Sequence, residues 1–146
     1  MAKSASVAHI LKLVILVIVI KMDKNKRNLT LLTDFYELTM ANDYFENGMG
    51  DTISYFDMFF RRVPDDGGFA IMCGLEQVID YMKSLSFDEE DISYLRRKKI
   101  FSEEFLDYLR NFKFCCDVWA VPEGTPVFPG EPIVTVRGPA IQAQFV

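Results

Sequence analysis

Two short stretches of the sequence carry side chains that could recognise a small ligand. The first is residues 33–36, of sequence TDFY, at the start of an expected helix. A helix N-terminus attracts anions, and Tyr36 offers a flat ring that can stack on an aromatic ligand. In the second stretch, FFRR, Arg61 presents a planar fork for a carboxylate or a phosphate. The residues alone also allow a plainer interpretation, in which Tyr36 packs in the core and Arg61 is the solvated end of a strand.

Periodicity places these two stretches on a helix and a strand. A helix is predicted to begin with Thr33 or Asp34, whose side chain would cap it, and to end near Glu46, before an Asn-Gly pair. Residues 52–62 alternate aromatic and β-branched side chains with polar ones, which predicts a strand. A loop is predicted at residues 64–68, where proline, aspartate and glycine cluster.

Three further helices and a β-rich segment are predicted along the rest of the chain. The helices begin after Gly74, at Asp88 and at Ser102, each with an apolar stripe or a capping residue. Across residues 116–138, prolines and glycines punctuate short apolar runs, which predicts a series of β-hairpins. Another helix is expected from Ala140, and because the sequence stops within that apolar element we expect it to continue in a longer protein.

Several common kinds of site are missing from the sequence. There is one histidine, His9, which argues against a histidine-based triad or zinc site. No glycine-rich phosphate loop is present, and the acidic run at 89–91 fits a helix start better than a metal site. Residues 121–138 have the hairpin pattern of lipoyl- and biotinyl-carrier domains, but residues 114–146 contain no lysine to carry the cofactor. We therefore predict no metal site and no carrier function.

Length and composition narrow the class of protein. The chain has 146 residues, about one domain, and 50% of them are apolar, which is enough for a core. Its formal net charge of −5 lacks the electrostatic footprint of a nucleic-acid binder, so no nucleic-acid partner is expected. The three cysteines, Cys73, Cys115 and Cys116, form no even disulfide framework. We interpret them as buried thiols of a cytoplasmic protein.

Residues 1–21 differ from the remainder of the sequence. The apolar run from Val7 to Ile20 is interrupted by polar residues and is too short to span a bilayer, which needs about 20 apolar residues. No small-residue cleavage site of a secretory signal follows it. We interpret residues 1–21 as an apolar leader upstream of a natural start at Met22, and residues 22–146 as the domain. A membrane partner is then not expected, and the alternative is a membrane tether through residues 7–20.

Four blocks of the sequence together resemble a known enzyme family. In chain order they are LLTDFYELTMANDYF, FDMFFRRVPDDGGFAIMCGLEQVIDYM, FLDYLRNFKF and VPEGTPVFPGEPIVTVRGPAIQAQ. They resemble the amino-terminal part of nicotinate phosphoribosyltransferase over residues 28–146. The resemblance implies an α+β fold, the amino-terminal domain of a type II phosphoribosyltransferase. In that fold, helices pack on a small, mostly antiparallel sheet, with a β-hairpin sandwich at the C-terminal end and the α/β barrel absent from this chain.

The resemblance also implies an activity. The family joins nicotinate to phosphoribosyl pyrophosphate, releasing nicotinate mononucleotide and pyrophosphate in a step of NAD biosynthesis driven by ATP hydrolysis. Such an enzyme is both a ligase and a glycosyltransferase, and works with Mg²⁺. The resemblance places ATP and Mg²⁺ mainly outside this chain, together with the catalytic residues, so that the 146-residue chain alone is expected to be inactive.

Three residues match positions of the family's substrate site. Tyr36 matches the tyrosine that contacts the pyridine ring, and Asp34 matches the acid of the same block. Arg61 matches the arginine that reaches the phosphate end in the related nicotinamide-using enzyme. The resemblance further implies a homodimer in which these residues complete a site held largely by the other subunit. The alternative is a catalytically silent, truncated paralogue that dimerises with the full-length enzyme and modulates it.

Overall fold

The computed structural model describes residues 28–63 and 67–146. In those ranges the elements follow in the order α1 (Phe35–Glu46), β1 (Ile53–Met58), β2 (Ala70–Ile71), α2 (Leu75–Ser84), α3 (Glu89–Lys98), α4 (Glu103–Arg110), β3 (Asp117–Ala120), β4 (Pro126–Val127), β5 (Val134–Pro139) and α5 (Ala140–Ala143). The predicted leader, residues 1–21, and positions 64–66 of the predicted loop lie outside the described residues. None of the described helices has the length and apolarity needed to cross a bilayer.

Strand β5 is the middle strand of a three-stranded antiparallel sheet, with β1 on one side and β3 on the other. Val136 stands opposite both Phe56 and Val118, so these side chains share one apolar face that turns toward the core. The opposite face carries polar and aromatic side chains and is largely open to solvent. The α+β class and the small antiparallel sheet predicted from the sequence are confirmed.

Strand β1 is shorter than the predicted strand at residues 52–62. It ends at Met58, which pairs with Val134, the first residue of β5. The N–H of Ile133 donates to the carbonyl of Met58 at 2.8 Å. The ladder stops there because the preceding residue, Pro132, has no N–H to donate. Residues 59–62 therefore continue as irregular backbone, and Arg61 lies on this segment just past the strand.

The β-rich segment differs in its pairing from a series of consecutive hairpins. Strand β3 pairs with β5, whereas β4 leaves that sheet and pairs with β2 in a second, two-stranded sheet. Two hydrogen bonds, each of 2.9 Å, extend this second pairing. The N–H of Met72 donates to the carbonyl of Thr125, and the N–H of Gly124 donates to the carbonyl of Met72. A hairpin prediction from local turn residues does not detect β2, because this two-residue strand lies about fifty positions upstream.

The helix boundaries follow the predicted caps at two of three N-termini. The Asp88 carboxylate accepts hydrogen bonds from the backbone N–H groups of Glu90 and Asp91, and Asp91 returns a bond to Asp88 N–H, which completes a capping box. Ser102 Oγ likewise accepts from a backbone N–H of α4. The predicted cap of α1 is wrong, since Asp34 stands at the N-cap position and its side chain makes no capping hydrogen bond.

Two apolar clusters make up the described core. The first joins α1, α3, α4 and α5 through fully buried side chains, the largest being Phe105, Ile92, Leu95, Leu106, Leu109 and Ile141. The second lies beneath the sheet and α2. The predicted buried thiols are not found, because Cys73 and Cys115 are exposed and Cys116 is half-buried.

Candidate functional site

A cavity of about 810 Å³ opens between the first turn of α1, the end of β1, and α2, β5 and the residues after α5. Asp34, Tyr36 and Arg61, the three residues predicted from the sequence, all line it. Asp34 and Tyr36 come from the start of α1, which packs against α5 directly after β5, and Arg61 follows β1, which pairs antiparallel with β5. Residues from two separate sequence blocks thus face one space.

Tyr36 does not pack in the core. It lies in the first turn of α1 and 59% of its surface is exposed, so the plainer interpretation of this residue is wrong. The inward face of the helix is formed instead by Leu38 and Ala41, which are buried. The hydroxyl of Thr39 donates to the carbonyl of Tyr36 at 2.9 Å and stabilises this turn. The Tyr36 ring is therefore free to contact a ligand.

Arg61 is exposed on the irregular segment that follows β1. The carbonyl of the preceding Phe60 accepts a 2.9 Å hydrogen bond from the N–H of Gly130, which anchors the segment to the loop before β5. Within the described ranges no carboxylate lies at ion-pair distance from Arg61. A guanidinium held in this way can bind a carboxylate or a phosphate at the cavity without first losing an internal partner.

Several lining residues were not predicted. Glu37, Asp57 and Gln144 are polar, and the apolar part of the lining comes mainly from Met40, Phe56, Met58, Val78, Met82, Val134 and Val136. Asp57 accepts a hydrogen bond from Thr135 on β5, and the side-chain amide of Gln144 donates to the carbonyl of Glu37 at 2.8 Å. Glu37 adjoins Tyr36 in sequence and could have been found by its position. Gln144 carries no local signal, since it is 107 positions from Glu37.

Among the described residues that line the cavity, the charged groups are three carboxyls and one guanidinium. Partial burial raises the pKa of the Glu37 carboxyl, and the charge of nearby Asp34 raises it further. A flat ring, an apolar lining and a guanidinium that has no carboxylate partner among the described residues suit a planar aromatic ligand that bears an anionic group. No cluster of three or more His, Cys, Asp or Glu side chains in the described part of the chain could hold a metal ion.

A larger groove, of about 930 Å³, lies elsewhere, between α2 and the chain around β3. None of the predicted site residues lines it, and its surface is mostly apolar, with Lys83 and Lys113 among its polar residues. Volume alone does not indicate chemistry, so the smaller cavity with its convergent polar groups is the candidate site.

The chain is similar to known proteins of one family. The family model for the nicotinate phosphoribosyltransferase (NAPRTase) N-terminal domain matches residues 31–146. The chain is 44% identical over 116 residues to nicotinate phosphoribosyltransferase pncB2 of Mycobacterium tuberculosis, covering 80% of this chain and 25% of the relative. With nicotinate phosphoribosyltransferase of Bacillus subtilis it shares 37% identity over 119 residues, covering 82% of this chain and 24% of the relative.

A solved structure shows the same fold. The crystal structure of human nicotinic acid phosphoribosyltransferase superposes with a TM-score of 0.70 at 32% identity, covering 77% of this chain and 23% of the human chain. The fold defines an α+β amino-terminal domain. The chain belongs to the nicotinate phosphoribosyltransferase family, and it spans about a quarter of the length of the relatives named above.

Proposed function

We propose that this chain is the amino-terminal part of an enzyme that joins nicotinate to phosphoribosyl pyrophosphate, with ATP hydrolysis, in NAD biosynthesis. The enzyme would act in the cytoplasm as a ligase and glycosyltransferase. The observation that carries the proposal is that Asp34, Tyr36 and Arg61 line one cavity in a chain of this family. The names of the relatives supply the reaction class.

The reaction determines what this wall has to do. The pyridine nitrogen of nicotinate attacks C1 of the ribose, the bond from C1 to the pyrophosphate oxygen breaks, and pyrophosphate leaves with the electron pair. Such a displacement needs the ring held in line with the breaking bond. In the proposal, the ring of Tyr36 stacks on the pyridine and Asp34 borders the same turn. Arg61 contacts the phosphate end of the nucleotide.

The described residues do not fit Mg²⁺ or ATP. They contain no cluster of three possible metal ligands, and the sequence has no phosphate loop of the common nucleotide-binding types. The proposal therefore assigns both groups, and the residues that perform the chemistry, to parts of the enzyme outside this wall. It also includes a homodimer in which the wall completes a site held largely by the other subunit.

Substitution of Tyr36 tests the stacking role. In the full-length enzyme, in which the proposed site is complete, Tyr36→Ala should weaken binding of nicotinate by about 5- to 150-fold, because stacking on an aromatic ring contributes about 1–3 kcal/mol. Ligand-observed NMR titration measures such an affinity even in the millimolar range. Tyr94→Ala is the matched control, since Tyr94 is a partly exposed tyrosine on α3 outside the cavity. Equal affinities in Tyr36→Ala and the unsubstituted chain would contradict the proposal.

Substitution of Arg61 tests the phosphate role. We expect Arg61→Ala to weaken binding of nicotinate mononucleotide more than binding of nicotinate, because the nucleotide has the phosphate that the guanidinium would contact. Arg62→Ala is the control, since Arg62 is the exposed neighbour and does not line the cavity. A loss confined to free nicotinate would show that Arg61 does not bind the phosphate.

A further inference from the structure

Gln144 is a buried polar residue at the boundary between α5 and the candidate site. Only 6% of its surface is exposed, and it lines the cavity together with Tyr36. Its side-chain Nε2 donates a 2.8 Å hydrogen bond to the backbone carbonyl of Glu37, the residue next to Tyr36. The bond thus joins the end of the described chain to the turn that carries the Tyr36 ring.

The first turn of α1 depends on contacts from outside the helix. Asp34 occupies the N-cap position but its side chain caps no N–H group, so the turn lacks the hydrogen bond that usually fixes a helix start. Within the turn, Thr39 holds the carbonyl of Tyr36. The side-chain amide of Gln144, which lies outside α1, donates to the next carbonyl, that of Glu37.

Gln144 is itself held rigidly. Helix α5 follows β5 without an intervening loop, and the N–H of Ala140 donates to the carbonyl of Thr52 at 2.9 Å. Ile141 is fully buried, and the hydroxyl of Tyr81 on α2 donates to the carbonyl of Phe145 at 2.9 Å. Gln144 therefore connects the start of α1 to a segment that is itself bonded to the sheet side of the fold and to α2.

We infer that Gln144 is a positioning residue for the ligand, which fixes the first turn of α1 so that the Tyr36 ring faces the cavity at the correct distance for stacking. This inference rests on the proposed function of the cavity. Gln144 would affect ligand binding through its hydrogen bond to the backbone of Glu37, the residue next to Tyr36.

The test substitutes Gln144 in the full-length enzyme, in which the proposed site is complete, and measures the Kd for nicotinate by NMR titration. Gln144→Leu keeps the size of the side chain and removes the donor, and should raise the Kd about 2- to 12-fold, the effect of one neutral hydrogen bond. Gln142→Leu is the matched control, two residues earlier on α5. Gln142 is also an anchoring residue, since its Oε1 accepts hydrogen bonds from the N–H of Cys115 at 2.9 Å and from the Cys115 thiol at 3.1 Å. It does not line the cavity, so the Kd of this variant should be unchanged.

A second variant keeps the test valid if Gln144→Leu fails to fold. Gln144→Glu retains the shape and replaces the donor with an acceptor that faces the Glu37 carbonyl, so the Kd should rise at least as much. An unchanged Kd in a folded Gln144→Leu or Gln144→Glu chain would overturn the inference.

A double substitution separates positioning from a general loss of structure. If Gln144 acts through Tyr36, Gln144→Leu should no longer change the Kd in a Tyr36→Ala background. An undiminished effect in that background would overturn the inference. Its failure is also distinguishable from failure of the proposed function. A normal Kd in Tyr36→Ala removes the proposed site, whereas a weakened Tyr36→Ala with a normal Gln144→Leu removes only the positioning role.

Discussion

Tyr36 has a backbone fixed in a helix and a side chain that the core does not use. Its own backbone lies in the ordered first turn of α1, and yet most of its surface is open to solvent. Packing of the helix does not need the ring, because Leu38 and Ala41 supply the buried face. A ring that is held at its base and is not used by the core is available to a planar ligand.

The neighbouring thiols Cys115 and Cys116 should differ in reactivity. Burial raises the pKa of the Cys116 thiol to about 11, and the adjacent Cys115 adds to this effect. At pH 8, roughly one Cys116 thiol in a thousand is then a thiolate, which is the reactive form. We expect iodoacetamide to label exposed Cys73 at least roughly tenfold faster than Cys116, as measured by peptide mass spectrometry.

The experiment is best done in the Cys115→Ser variant, because the labelling rates of Cys73 and Cys116 can then be compared without a second thiol next to Cys116. In denaturant the two cysteines should label at similar rates. Labelling of Cys116 as fast as Cys73 in the folded chain would show that the thiol is not shielded.

At the scale of single residues, sequence reasoning found the side chains whose chemistry is evident from type and from family blocks. Asp34, Tyr36 and Arg61 were named in this way, and the structure brings all three to one cavity. Burial was harder to predict, since the cysteines were expected inside and the residues alone left open whether Tyr36 packs in the core. Side-chain hydrophobicity alone does not say which face of a helix or strand turns inward.

Among the elements, α1 and α3 begin in physically different ways. Both have an aspartate at the N-cap, but only Asp88 of α3 bonds backbone N–H groups through its side chain. Asp88→Ala should lower the free energy of unfolding by about 0.5–2 kcal/mol, the usual effect of losing a side-chain cap. Asp34→Ala, the matched control, should cost less because no cap bond is lost. Urea denaturation at pH 7 measures both values.

The same cap predicts a dependence on pH. Hydrogen bonds from the backbone of Asp91 and from the side chain of Asn28 lower the pKa of the Asp88 carboxyl below its usual range. A lowered folded-state pKa contributes stability that is present above the unfolded-state pKa and is lost as the pH falls through the folded-state pKa. The stability difference between the unsubstituted chain and Asp88→Ala should therefore shrink in acid. Equal losses in Asp88→Ala and Asp34→Ala at pH 7 would show that the cap bond is not stabilising.

Elements with strong local signals were predicted well, and the others were not. The capping residues Asp88 and Ser102 and the apolar stripe after Gly74 mark helices that the structure confirms. The partner of β4 was missed, because β2 has two residues and its pairing is fixed by long-range contacts with the turn near Gly124. A strand of two residues is too short to show the alternating pattern from which strands are predicted.

At the scale of the whole molecule, the two apolar clusters are joined. Tyr81 and Phe114 pack against both, and α5 contributes Ile141 to one and Ala143 to the other. Clusters that share side chains should unfold together. We expect one urea transition with the same midpoint by far-UV circular dichroism, which reports the helices, and by fluorescence of Trp119, the chain's single tryptophan, which reports the sheet.

Phe114→Ala should lower both midpoints together, because it removes a side chain that packs against the two clusters at once. Separate midpoints for the two probes in the unsubstituted chain would show that the helical and sheet-side clusters are independent folding units.

The composition of the cavity wall affects how a charged molecule arrives there. In the part of the wall that the structure describes, the carboxyl groups of Asp34, Glu37 and Asp57 outnumber the Arg61 guanidinium. A diffusing anion consequently meets a repulsive field on this side, and dissolved salt should speed its capture by screening that field rather than slow it. Any long-range attraction that accelerates the encounter has to originate from basic groups beyond this wall.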